Sequence, residues 1–158
     1  MATVIKPPSQ FQDGFSVFLA GSIELGSAGN WQGFIEKKLS DIDMIIFNPR
    51  RDRWDASRIQ SKEDSVFRGQ VEWELSAMEK ANVIVMYFDP NTKSPVSLLE
   101  LGLFARTGKM VVCCPEGFWR KGNVDIVCAR YGVRQVASLN DLVEYVFSIS
   151  RKCGMASC

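Results

Sequence analysis

The sequence predicts an open, doubly wound α/β sandwich, and three observations predict it. Its apolar runs are short, they are continuous rather than alternating, and they take turns with segments of helical period. A strand buried on both faces is apolar at every position, as a parallel sheet covered by helices on both sides requires. The size agrees: 158 residues, 46% hydrophobic and 23% charged, suffice for one core that needs neither disulfides nor a structural metal.

The elements follow in chain order as parts of a single domain spanning residues 1–158. Residues 1–14 are polar and Pro-containing and are expected to be a flexible tail, as are residues 152–158. SVFLAGS then turns apolar and stops at Gly21, which reads as the first strand. In NWQGFIEKKLS, Trp31, Phe34, Ile35, Lys38 and Leu39 follow the spacing of a helix face, with Asn30 as N-cap. MIIFNP, ending at Pro49, is the second strand. Past a charged loop, Phe67, Val71, Leu75 and Met78 return to helical spacing, and NVIVMYF over 82–88 is the third strand. SPVSLLELGLFARTGK reads as a helix that leads into a fourth strand, MVVCC. VDIVCARYG and LNDLVEYVFSIS read as two more helices, with a short fifth strand near VRQVA between them. In such sheets ligands bind beyond the carboxyl ends of the strands, which directs attention to loops 20–30, 48–65, 89–96 and 115–123.

Composition removes several chemistries. Nineteen Lys and Arg against eighteen Asp and Glu leave a formal charge of +1, too balanced for a nucleic-acid partner. There is no histidine, so acid/base work falls to carboxylates, Lys, Tyr or Cys. The five cysteines are expected to be buried apolar residues plus two tail thiols, and neither a metal nor a cofactor is expected. No run approaches the roughly 18–20 apolar residues of a membrane span, and no leader sequence is visible, which reads as a cytoplasmic protein.

Glu100 is the one ionisable residue in SPVSLLELGLFA, a segment apolar almost all round. Ser97 as N-cap would make it the reciprocal partner in a capping box. Ser94 followed by Pro95 is an equally good start, and it would carry Glu100 past the first turn. Glu74 falls on the stripe of Val71, Leu75 and Met78, at or beside the core-facing side; it could also reach solvent there, or pair with a loop arginine such as Arg50 or Arg53. Two carboxylates in an apolar cleft suit attack on an anomeric carbon by one and protonation of the leaving group by the other. Arg50, Arg51, Arg53 and Trp54 in one loop, with Phe118, Trp119, Arg120 and Lys121 in another, could hold a phosphate and stack on a base, or form solvated faces. GSIELGSAGN is a small-residue turn that lacks the G-x-G-x-x-G dinucleotide fingerprint and any Walker lysine.

FLAGSI (18–23), EWELSAMEKANVIV (72–85) and SPVSLLELG (94–102), in that order, resemble the nucleoside 2-deoxyribosyltransferase-like family, which includes the deoxynucleoside 5′-monophosphate N-glycosidases. With NPRRDRWD and RKGNVDIVCARYG the resemblance covers roughly residues 16–133. It implies a flavodoxin-like domain with a five-stranded parallel sheet, usually a homodimer or higher homo-oligomer, that cleaves N-glycosidic bonds through a covalent sugar–enzyme intermediate. The family nucleophile falls on Glu100, and its second acidic residue, an aspartate in relatives, on Glu74. Gly21, Ser22 and Ser94 would line the sugar or phosphate end, Arg50 and Trp54 the base end. The partners implied are a nucleoside or nucleotide and a free nucleobase, and segment 115–131 is the candidate to complete a neighbouring subunit's site. This chain departs from the pattern at Phe18, where relatives often carry tyrosine, at Glu24, where the hydrolases carry arginine, and at Ser94, which matches the hydrolases rather than the transferases. A deoxyribosyltransferase is the leading reading; a monophosphate N-glycosidase and a catalytically silent nucleotide-binding module are the alternatives.

Overall fold

A computed structural model describes residues 1–23, 28–51, 55 and 57–155. Its strands β1 (Thr3–Ile5), β2 (Ser16–Gly21), β3 (Ile45–Phe47), β4 (Val83–Tyr87), β5 (Met110–Cys113) and β6 (Arg134–Val136) form one sheet in the order β1-β3-β2-β4-β5-β6. Every neighbouring pair is parallel. Helices α1 (Trp31–Leu39), α2 (Ser65–Lys80), α3 (Pro95–Phe104), α4 (Lys121–Tyr131) and α5 (Leu139–Met155) supply the crossovers and the two outer layers.

Successive side chains of a strand face opposite sides, so β2 divides its apolar content between two cores. Val17 and Leu19 pack with Trp31, Ile35 and Leu39 of α1 and Leu142 and Val146 of α5. Phe18 and Ala20 pack with Trp73 and Ala77 of α2, Leu101 and Phe104 of α3, and Val124 and Cys128 of α4. This two-sided burial is why the runs read as continuously apolar.

The sheet has six strands, not the five expected, and the extra one lies in the segment read as a tail. Strand β1 pairs with β3 from Thr3 to Ile5 and covers backbone groups that an edge would otherwise leave open. Only Ile5 of its three residues is buried, so there is no apolar run to read. Farther along the same segment, Trp73 Nε1 donates to the Ser9 carbonyl at 2.9 Å, and the Phe11 ring lies 5.4 Å from that of Phe47. At the other end, α5 continues through residues expected to be flexible, to Met155. Cys113, Cys114 and Cys128 are buried and free, whereas Cys153, expected as a free thiol, is disulfide-bonded.

One helix face also differs from expectation. In α2 the buried residues are Gln70, Trp73, Ala77 and Met78, while Phe67 and Val71 are only partly covered. The apolar stripe is therefore shared between the core and a cleft at the head of the sheet. In α3 the N-cap is Ser94 with Pro95 as first residue, so Glu100 stands beyond the first turn and the capping-box alternative falls away. Among the described residues no helix is long and apolar enough to cross a membrane.

Gly21 ends β2 with φ +132, where a Cβ would stand 2.1 Å from the Tyr87 carbonyl oxygen. Strands β2 and β4 can approach this closely only without a side chain there. Gly21→Ala is expected to lower stability by about 2–4 kcal/mol, read by urea denaturation, since strain and backbone overlap add.

Candidate functional site

The strand order β3-β2-β4-β5-β6 reverses direction between β2 and β4, and such a switch point opens a crevice at the carboxyl ends of the strands. A cleft of about 890 Å³ lies there. Its apolar walls include Phe18, Ala20, Phe67, Val71, Pro95 and Val96, and Glu74 and Glu100 both open into it. Helix α2 brings the first carboxyl group and α3 the second, from opposite sides of β4 in sequence.

The two carboxyls share one electrostatic problem. Glu100 is 8% exposed, and its carboxyl is pushed up to about 8, first by burial and then by the charge of Glu74. Burial raises Glu74 to about 7, opposed by a hydrogen bond from Gln70 and by the positive charge of Arg51. Between about pH 7 and pH 8 the two carboxyls therefore hold about one proton between them.

A chain of hydrogen bonds leads away from Glu74. Arg51 Nε donates to Gln70 Oε1 at 2.5 Å, and Gln70 Nε2 donates to Glu74 Oε1 at 2.5 Å and to the Pro49 carbonyl at 3.1 Å. Glu74 thus meets a loop arginine, Arg51, through Gln70, while Arg50 donates elsewhere. Gln70 stands four residues before Glu74 and shares its face, a spacing that could have drawn attention to it.

The start of α3 is fastened to β2 by a knot of buried hydroxyls. Ser22 Oγ lies 2.5 Å from Ser94 Oγ, Thr92 Oγ1 lies 2.9 Å from Ser22 Oγ and 2.7 Å from Ser94 Oγ, and the Asp89 amide donates to Ser22 Oγ at 2.8 Å. Ser94 holds φ 46, a left-handed conformation that a non-glycine residue keeps only when its surroundings enforce it. The knot therefore sets the direction in which α3 leaves and, through it, the place of Glu100. Sequence reading picked out Ser22 and Ser94 but missed Thr92 and Asp89, which carry no motif of their own.

The other expected residues divide. Gly21, Ser94 and Arg50 line the cleft; Ser22 lies behind it. Arg50 ties down the loop before α1, with Nη1 donating to Gly29 O at 3.1 Å and Gln32 Oε1 at 3.2 Å, and Nη2 to Ala28 O at 3.3 Å. Trp54, Arg53 and Glu24 lie outside the described residues. Residues 118–121 do not line the cleft: Phe118 is core, 4.8 Å from Phe88, and Trp119 stacks with Lys93 and Arg120, each 4.5 Å from its ring.

The family model described as nucleoside 2-deoxyribosyltransferase like matches residues 14–118. The chain belongs to that family. The matched region runs from just before β2 to Phe118 and so includes both carboxylates of the cleft. Among solved structures the chain is similar to the crystal structure of a conserved protein from Enterococcus faecalis V583, at 15% identity and a TM-score of 0.57, over 82% of this chain and 95% of that one. At that identity the likeness speaks for the α/β fold alone. No curated protein matches.

The raised carboxyls make stability depend on pH with a definite sign. Folded, Glu74 and Glu100 keep protons that the unfolded chain releases near 4.5, so their contribution is complete below that pH and is lost as pH rises through about 7 and 8. Glu100→Gln removes the cost of charging the pair. Its stability advantage over wild type is expected to grow by on the order of a few kcal/mol between pH 5 and pH 8.5, measured by denaturant titration at each pH.

Proposed function

We propose that this protein cleaves or exchanges the N-glycosidic bond of a deoxynucleoside or nucleotide through a glycosyl ester on Glu100. The observation that carries the reading is the convergence of two largely buried carboxyls in one cleft of mixed apolar and polar lining, in a chain of the deoxyribosyltransferase-like family. In this reading a carboxylate oxygen of Glu100 attacks C1′ while the C1′–N bond breaks and its electron pair leaves with the base. Glu74, carrying the proton, delivers it to the departing base. A second base, or water, then attacks C1′ and releases Glu100, and the two inversions give net retention. Burial of both carboxyls strengthens each of these charge interactions.

Transfer to a second base is the leading form. A 5′-monophosphate hydrolase is the second reading, favoured by the start of α3: Ser94, Pro95, Val96 and Ser97 line the cleft, and no side chain caps that helix end. Unsatisfied amides at a helix N-terminus suit a phosphate. The proposed assembly is a homodimer, supported by Val96, Leu99 and Leu103, which are 58%, 63% and 55% exposed at helical spacing along α3.

The test of function is a chromatographic assay of wild type and Glu100→Ala against nucleosides and 5′-monophosphates, each with and without a free acceptor base. Wild type is expected to give exchanged nucleoside, or free sugar phosphate if it hydrolyses, and Glu100→Ala is expected to lose at least about 1,000-fold in turnover while remaining folded. A folded wild type inert across the panel would favour a silent binding module. Light scattering tests the assembly: a dimer is expected, and Leu99→Lys is expected to give monomer.

A further inference from the structure

We infer that Arg51 and Gln70 are positioning residues that decide which of the two carboxyl groups holds the shared proton before substrate arrives. The inference rests on reading Glu74 and Glu100 as the reacting pair and adds how that pair is kept idle. Its basis is the orientation of one amide. The guanidinium of Arg51 can only donate, so the Gln70 atom that faces it at 2.5 Å must be the carbonyl oxygen. The Pro49 carbonyl can only accept, so the atom that faces it at 3.1 Å must be the amide nitrogen. Two neighbours of opposite character therefore forbid the flipped amide, which would set donor against donor and acceptor against acceptor.

With the amide fixed, its second N–H points to Glu74 Oε1, which must accept. An ionised carboxylate accepts more strongly than a neutral acid. Negative charge in the empty site therefore settles on Glu74, and the remaining proton stays on Glu100. The electrostatics agree: Arg51 is the charge that lowers Glu74, and Glu74 is the charge that raises Glu100. Among the described residues, the other charged side chains lining the cleft are Lys6, Glu36 and Arg50. Of these, Arg50 donates to backbone carbonyls and Gln32, and Glu36 accepts from Asn48 Nδ2 at 2.6 Å.

This resting arrangement is the reverse of the reactive one, which needs Glu100 ionised and Glu74 protonated. Exchange between them moves one proton from the Glu100 carboxyl to the Glu74 carboxylate and leaves the pair with one negative charge throughout. Bound substrate favours the exchange at both ends. The base offers an acceptor to a proton on Glu74, and the electropositive C1′ favours charge on Glu100. The nucleophile is thus neutral in the empty cleft and ionised only with a glycosidic bond in front of it.

The test reads proton placement directly and needs no turnover. Protein labelled with ¹³C at glutamate Cδ is titrated by NMR, with the two signals assigned from Glu74→Gln and Glu100→Gln. In wild type, Glu74 is expected to ionise at lower pH than Glu100. In Gln70→Met, similar in shape but without the amide, the Glu74 step is expected to move up by about one pH unit, the worth of a hydrogen bond to a charged group, and the order of the two steps to close or invert. Arg51→Met, which removes the cation that holds the Gln70 carbonyl and favours charge on Glu74, is expected to shift Glu74 in the same direction and carries the test if Gln70→Met does not fold. Glu100 ionising first in wild type, or both variants leaving the two steps unmoved, would overturn the inference. Inert protein in the substrate assay bears on the proposed function alone, and unmoved titrations bear on the positioning role alone.

Discussion

Two largely buried carboxyl groups that face one cleft cannot both be charged without a penalty, and the architecture around Glu74 and Glu100 is organised by that constraint. Each acid comes from a different helix, so their mutual influence depends on how α2 and α3 are set against the sheet. Strand β4, with Val83, Ile84, Val85 and Met86 buried, is the rigid element between them. Gly21 lets β2 press against the end of that strand, and the Ser22–Thr92–Ser94 knot fixes where α3 begins. Relaxing either contact would move Glu100 relative to Glu74, and in the proposed reaction a displacement of about one ångström is enough to matter.

The same constraint gives meaning to polar residues that would otherwise look incidental. Gln70 is nearly enclosed, and a buried amide costs free energy unless every donor and acceptor is used. Here each is used, by Arg51, Pro49 and Glu74, so the amide costs little and transmits the position of a loop arginine to a carboxylate. Arg50, its neighbour in sequence, has the different task of holding the loop ahead of α1.

The layered fold was legible in the sequence because its physical cause is local. A strand covered on both faces must be apolar along its length, and β4, β5 and, past Ser16, β2 are. Strand β1 was not legible, since an edge strand with one buried residue leaves no run to notice and its pairing with β3 is a tertiary fact. Glu100 stood out as a lone charge in an apolar helix. Glu74 was visible as a carboxylate on an apolar stripe, but that this stripe lines a cleft depends on how α2 is rotated against the sheet, which periodicity alone does not report. Thr92 and the Asp89 amide were invisible for another reason: neutral polar groups acquire such a role only from partners far away in sequence, as Ser22 and Thr92 do across seventy positions.

The central claim is that Glu100 forms a bond to the sugar, and the most direct measurement is mass spectrometry of the protein after exposure to nucleosides and 5′-monophosphates fluorinated at C2′, whose electron-withdrawing substituent slows breakdown of a glycosyl ester. The account predicts the mass of one fluorinated pentosyl group on the peptide that contains Glu100, with one equivalent of base released. Base release with the adduct on Glu74, or with no adduct on either glutamate, would contradict it.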